Sequence, residues 1–189
     1  MKIGLYFGSF NPIHHGHLII ALHTVQNTEL EQVWFVISPQ NPLKASAALL
    51  NEYHRLHLVR LSIEGMTQLR TSDIEFHLPR PSYTIDTLTY LNEKYPANQF
   101  SVIMGSDSFQ NLPKWKNYEQ ILKNYDLVVY LRPGFPMKEV LPARTSIIKA
   151  PLLEISATLI RQNLKLHKSI RYLVPDTVAE EIHRNNYYS

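Results

Sequence analysis

Four stretches of the chain are apolar almost throughout: Ile3 to Phe7 around Gly4, Val33 to Ile37, Phe100 to Met104 around Ser101, and Leu127 to Leu131. None alternates polar with apolar residues, which predicts strands covered on both faces, as in a parallel sheet. Between them the apolar spacing becomes helical. Leu18, Ala21, Leu22 and Val25 predict a helix from near His15 or Gly16, and Leu56, Val59 and Ile63, with Tyr53 one turn earlier, predict another from about Asn51 to Glu64. Ile85, Leu88 and Leu91 share a face of a third helix, with Ser82 expected as its N-cap. Shorter strands are expected near Gln68 to Ser72 and Ile147 to Ala150, and Pro113-Lys114-Trp115 is expected to begin a helix.

The breaks fall at Ser38-Pro39, Leu78-Pro79-Arg80-Pro81 and Arg132-Pro133-Gly134, while Phe135 to Ser146 reads as an irregular connection. A last helix is expected from Asp176, and Asn185 to Ser189, without apolar periodicity, are expected to fray. Strand and helix thus alternate. The expected architecture is α/β, a Rossmann-like three-layer α/β/α domain spanning residues 1–189, with a mostly parallel sheet of about five or six strands.

Composition narrows the function. A chain of 189 residues can bury a full core, and the absence of cysteine excludes disulfides, thiolate catalysis and Cys-ligated zinc. The formal charge is only +3, and Lys and Arg form no basic run, so no nucleic-acid partner is indicated. No apolar run approaches the roughly 20 residues that span a bilayer. Lys2 is followed directly by a strand, so neither a secretory signal nor an anchor is expected, which predicts a cytoplasmic protein without a membrane partner. Self-association is compatible with this pattern, and small phosphorylated substrates fit it best.

The chemistry concentrates where the first strand stops at Gly8 and the first helix starts. A helix N-terminus carries unpaired N–H groups and about half a positive charge, which suits an anion. His14 and His17 flank that end, with Gly16 between them giving room for close approach to the backbone. Two imidazoles can donate to phosphate oxygens and stabilise charge that develops during transfer. Further along, Lys44 follows the second strand, where parallel sheets bind ligands; it fits either a phosphate contact or a solvated loop lysine. Asp107 follows the Phe100–Met104 strand, where a carboxylate can accept from ribose hydroxyls or cap a turn. Near the end, Ser156 can cap a helix whose first amides face a phosphate, with Thr158 adding a hydroxyl and Arg161 a charged clamp. His54 and His57, three apart among Arg55 and Arg60, read as a solvated helix face rather than a metal site.

The segment Gly8-Ser9-Phe10-Asn11-Pro12-Ile13-His14-His15-Gly16-His17-Leu18 resembles the signature of the HxGH nucleotidyltransferases, and its wording is most similar to the nicotinate-nucleotide adenylyltransferase family. Ser82-Tyr83-Thr84-Ile85-Asp86-Thr87-Leu88, Gly105-Ser106-Asp107 and Ile155-Ser156-Ala157-Thr158-Leu159-Ile160-Arg161 resemble further family segments, so the likeness runs from Lys2 to Pro175. Leu43 departs from it, standing where the family carries His before Lys44.

The resemblance implies transfer of AMP from ATP to nicotinate mononucleotide, with Mg²⁺ arriving on ATP. It implies catalytic roles for His14, His17 and Arg161. ATP would be bound by Gly8, Ser9, Phe10, Gly16, Gly105, Asp107, Ile155, Ser156 and Thr158, and nicotinate mononucleotide by Lys44, Tyr83, Thr84 and Trp115. The attacking group would already be an anionic oxygen, so direct in-line attack needs no protein nucleophile. Competing readings are a different acceptor (nicotinamide mononucleotide or phosphopantetheine), a non-catalytic nucleotide sensor, and a His-cluster metallohydrolase. Ser82 to Leu88 and Trp115 favour a pyridine nucleotide; the His pair with Arg161 favours catalysis over sensing.

Overall fold

The structure is a computed structural model that describes residues 1–40, 49–137, 144–151 and 153–189. Six strands form one sheet: β1 (Lys2–Gly8), β2 (Gln32–Ile37), β3 (Leu69–Ser72), β4 (Gln99–Gly105), β5 (Asp126–Tyr130) and β6 (Thr145–Ile148). Their order is β3-β2-β1-β4-β5-β6, and every pairing is parallel. The expectation of a mostly parallel sheet is met by an all-parallel one.

Period-two packing on both faces explains why the strands read as unbroken apolar runs. Ile3 and Leu5 of β1 enter one core layer while Tyr6 enters the other. Phe100, Val102 and Met104 of β4 likewise face the first layer and Ile103 the second. Helices α1 (His15–Asn27), α2 (Glu52–Ser62), α6 (Ala157–Lys165) and α7 (Asp176–Arg184) cover one face with Ile20, Val25, Leu56, Val59, Ile160, Val178 and Ile182. The other face is covered by α3 (Thr84–Lys94) and α5 (Tyr118–Asn124) through Ile85, Leu88, Leu91 and Ile121. A short α4 (Ser106–Gln110) follows β4 directly. Each buried Leu, Ile or Val contributes roughly 1.5–3 kcal/mol, so these two layers dominate the favourable side of folding. Among the described residues, no helix is long and apolar enough to cross a membrane.

Chain order reverses between β1 and β4, which opens a crevice at their carboxyl ends, the place where such sheets receive ligands. Both the loop before α1 and the Gly105–Asp107 segment open onto it.

Four local expectations are corrected. Ser82 is not the cap of α3: its hydroxyl donates to Glu75 at 2.7 Å, and Tyr83 occupies the N-cap position. Pro113-Lys114-Trp115 ends a 3₁₀ turn (Leu112–Lys114) rather than beginning a helix, because Asn117 in left-handed backbone (φ 49°) intervenes before α5. Arg55 is fully buried and leaves the solvated face to its exposed neighbours His54 and His57. They meet the C-terminal helix region, His54 Nδ1 lying 2.9 Å from the Tyr187 hydroxyl and His57 Nε2 3.4 Å from Glu181 Oε1. The last residues accordingly dock instead of fraying, with Tyr187 and Tyr188 packed against the core. Two tyrosines spaced too closely to show a helical stripe carried that contact.

Candidate active site

The β1–α1 loop is built around Phe10. It adopts φ 45°, a left-handed conformation that costs a residue with a Cβ roughly 1–2 kcal/mol, and its ring is buried against Tyr6, Phe35 and His17. A side chain at Gly8 would strike this ring at 2.7 Å. Phe10 therefore supports the loop from below, and His17 stands edge-on to it at 5.1 Å between ring centroids.

His14 stacks on His17 with centroids 3.7 Å apart and planes inclined by 26°. The amide of His15 donates to the Leu173 carbonyl at 3.1 Å, so that part of the α1 end is already satisfied and the imidazoles face the cavity. A Cβ at Gly16 would sit 3.0 Å from His14 Nδ1, so the glycine makes room for the His14 ring.

His14 is held at a pKa of about 4, well below the usual imidazole range, first by burial and then by the positive charges of Arg132 and His15. It is neutral at pH 7, and its ring offers one N–H. This also fixes a stability trend. The unfolded chain binds a proton at about 6.5 that the folded chain refuses until about 4, so stability falls as pH drops through that window, by roughly 3 kcal/mol in total. Thermal melts at pH 7, 5.5 and 4 should show His14→Gln losing less stability than the parent. Parallel losses in the two proteins would remove His14 as the cause.

From the other end of the chain, Ser156 caps α6 as expected, its hydroxyl accepting from the Leu159 amide at 3.1 Å. Arg161, one turn into α6, donates from Nη1 to the Asn11 carbonyl at 2.7 Å and from Nη2 to the Thr158 hydroxyl at 3.2 Å. The two distant motifs thereby touch across 150 residues. They share a cavity of 450 Å³ with Gly8, Ser9, Phe10, Asp107, Ile155 and Thr158 on its walls, beside both histidines and Arg161.

A second cavity, of 740 Å³, adjoins the first through Ser9, Asp107 and Tyr130, which line both. Tyr83, Thr84, Trp115 and Gly105 line it. Lys44 and Leu43 lie outside the described residues.

Sequence reasoning missed four groups here. Arg132 lines the smaller cavity and donates from Nη1 to Asp107 Oδ2 at 2.9 Å, leaving Oδ1 buried and without a hydrogen-bond partner among the described residues. A Cβ at Gly105 would come within 2.4 Å of that Oδ1 and 2.9 Å of Arg132 Cδ, so the glycine makes room for this pair. Arg132 lies two residues past the end of β5, as Asp107 lies two past the end of β4, and that strand-end position was the available signal. Tyr6 and Tyr130 place their hydroxyls 3.3 Å apart between the cavities, hidden in sequence among ordinary strand residues. Glu75, buried at the larger cavity, accepts from Ser82 and from Thr87 at 3.0 Å, and burial pushes its carboxyl pKa up. Lys116, at the same cavity, lies 4.9 Å from the centre of the Tyr83 ring and pairs with Asp86 at 2.8 Å.

A six-stranded parallel sheet with stacked histidines and an arginine around one strand-end cavity defines an α/β protein with a polar ligand crevice at the carboxyl edge of its sheet. Residues 5–163 match the cytidylyltransferase-like family, and the chain belongs to it. It is 51% identical to the probable nicotinate-nucleotide adenylyltransferase of Flavobacterium psychrophilum, the match covering 100% of this chain and 99% of that one. With the probable nicotinate-nucleotide adenylyltransferase of Cytophaga hutchinsonii the identity is 52%, again over 100% of this chain and 99% of the relative. In fold it is similar to Plasmodium falciparum nicotinic acid mononucleotide adenylyltransferase complexed with NaAD, with TM-score 0.84 and 22% identity, covering 99% of this chain and 97% of that one.

Proposed function

We infer that this chain is a nicotinate-nucleotide adenylyltransferase. A 5′-phosphate oxygen of nicotinate mononucleotide attacks the α-phosphorus of ATP, and the bond from that phosphorus to the bridging oxygen of the β-phosphate breaks. Pyrophosphate leaves and deamido-NAD remains. Full-length identity to relatives bearing that name supports the reaction. The observation that carries the residue-level reading is the contact of Arg161 with the Asn11 carbonyl, which brings the guanidinium and the His pair to one cavity.

In this reading His14 and His17 donate to the α- and β-phosphates, where negative charge shifts toward the leaving group. Arg161 and the start of α6 hold the β/γ end, and Arg132 adds a second guanidinium opposite. The free Oδ1 of Asp107 accepts from a ribose hydroxyl. In the larger cavity Trp115 offers a broad face to the pyridine ring. The start of α3 at Tyr83 and Thr84, with Lys116 nearby, favours a carboxylate there. Glu75 works against an anion, but burial disfavours its charged form by more than the hydrogen bonds from Ser82 and Thr87 favour it. Lys44 keeps its sequence-based assignment to nicotinate mononucleotide.

A divalent cation would be carried in by the triphosphate, since such ions are bound largely through substrate phosphates. That ion would be Mg²⁺, and it would supply neutralisation of phosphate charge.

Pyrophosphate release from ATP and Mg²⁺ tests the reading, with nicotinate mononucleotide, nicotinamide mononucleotide and phosphopantetheine supplied in parallel. The expected result is fastest turnover with the acid nucleotide. Equal rates with the acid and the amide would remove the specificity, and no release with either would remove the function.

A further inference from the structure

Arg55, on α2, is fully buried, yet among the described residues no carboxylate forms an ion pair with it. Its guanidinium is spent on main-chain carbonyls. Nε donates to Leu50 at 2.8 Å, Nη1 to Ser9 at 2.6 Å and to Ser38 at 2.9 Å, and Nη2 to Pro39 at 3.1 Å. Burial lowers the pKa of this cation, but a guanidinium is not deprotonated in proteins, so a charge is kept inside.

A buried charge contributes less to stability than its contacts suggest, because desolvation offsets the attraction and an apolar side chain of similar volume often does as well. What a hydrocarbon could not do is hold four carbonyls in one plane. A planar fork of five N–H donors does that, and the single ammonium of lysine does not. The carbonyls belong to the parts of the chain that shape both cavities: Ser9 lines the two of them, and Ser38 lines the larger. Ser9 also precedes Phe10, whose left-handed backbone supports His17.

We propose that Arg55 is a positioning residue for both substrates: one buried guanidinium sets the β1–α1 loop at the phosphate cavity and the end of β2 at the pyridine-nucleotide cavity together. This rests on the assignment of the two cavities to ATP and nicotinate mononucleotide. Arg55 touches neither substrate; it acts through the backbone it holds.

The test is steady-state pyrophosphate release by Arg55→Lys, run well below its melting temperature, with Arg60→Lys as an exposed control on the same helix. Misplacement of reacting groups by about 1 Å lowers rates about a hundredfold. The expected result is therefore a ten- to hundredfold fall in kcat/KM, with KM rising for ATP and for nicotinate mononucleotide alike, while Arg60→Lys matches the parent. A lowered melting temperature with unchanged kinetic constants would reduce Arg55 to a stabilising residue and overturn the proposal; so would a rise in only one KM. Should Arg55→Lys not fold, the Nε–H resonance of Arg55 in the ¹⁵N-labelled parent protein replaces it. Each substrate alone should shift that resonance, and a shift with one or neither overturns the proposal. An inactive parent protein would instead refute the function and leave the positioning claim to the resonance.

Discussion

His17→Ala is expected to lower turnover by about two to three powers of ten while leaving the fold intact. Removing one preorganised donor to a developing oxyanion typically costs about 10²–10³ in kcat, and His17 is preorganised in that sense. Its ring is fixed by stacking on His14 at 3.7 Å and by the edges of Phe10 at 5.1 Å and Tyr6 at 6.1 Å. Alanine removes the donor but leaves Phe10, Tyr6 and Phe35 packed on one another. The loss should fall on kcat with little change in KM for ATP, the pattern of an interaction strengthened in the transition state. Pyrophosphate release and a far-UV melting curve on the same preparation check both halves. Near-normal turnover in a folded variant would refute the role.

Arg161→Ala is expected to cost a similar amount, about 10²–10³ in kcat/KM for ATP, by a different route. The side chain supplies charge to the triphosphate and also ties the loop before α1 to the start of α6, through the Asn11 carbonyl and the Thr158 hydroxyl. Arg161→Lys separates these contributions. It keeps the charge but not the fork, so it should recover part of the loss and no more. Both variants should raise KM for ATP more than KM for nicotinate mononucleotide, because the 450 Å³ cavity holds Arg161 and the 740 Å³ cavity does not. Full recovery by lysine would make Arg161 a point charge without a bridging role.

The inner strands β1, β2, β4 and β5 were legible because each is buried on both faces, which leaves an unbroken apolar run that no surface element shows. The His14–His17 loop and the Ser156–Arg161 segment were legible because each is local, a strand end or a capped helix start within a dozen residues. Ser82 illustrates the opposite case. It has the right residue type for a cap just before a helix, but a buried carboxylate seven positions earlier takes its hydroxyl. At Gly16 the neighbour that a Cβ would meet is likewise visible only in three dimensions: it is the His14 ring.

The sequence by itself determined the order of the strands and of the longer helices, the parallel sheet and the two motif segments, because these depend on periodicity and on contacts between near neighbours. Only the tertiary structure decided how the site is held. The partnership of Asp107 with Arg132, the meeting of Arg161 with Asn11, the Ser9, Ser38 and Pro39 carbonyls on Arg55 and the docking of Tyr187 on His54 all join residues well separated along the chain. Pairings of that kind are selected by how two core layers pack on a twisted sheet, and a linear pattern carries no direct trace of them.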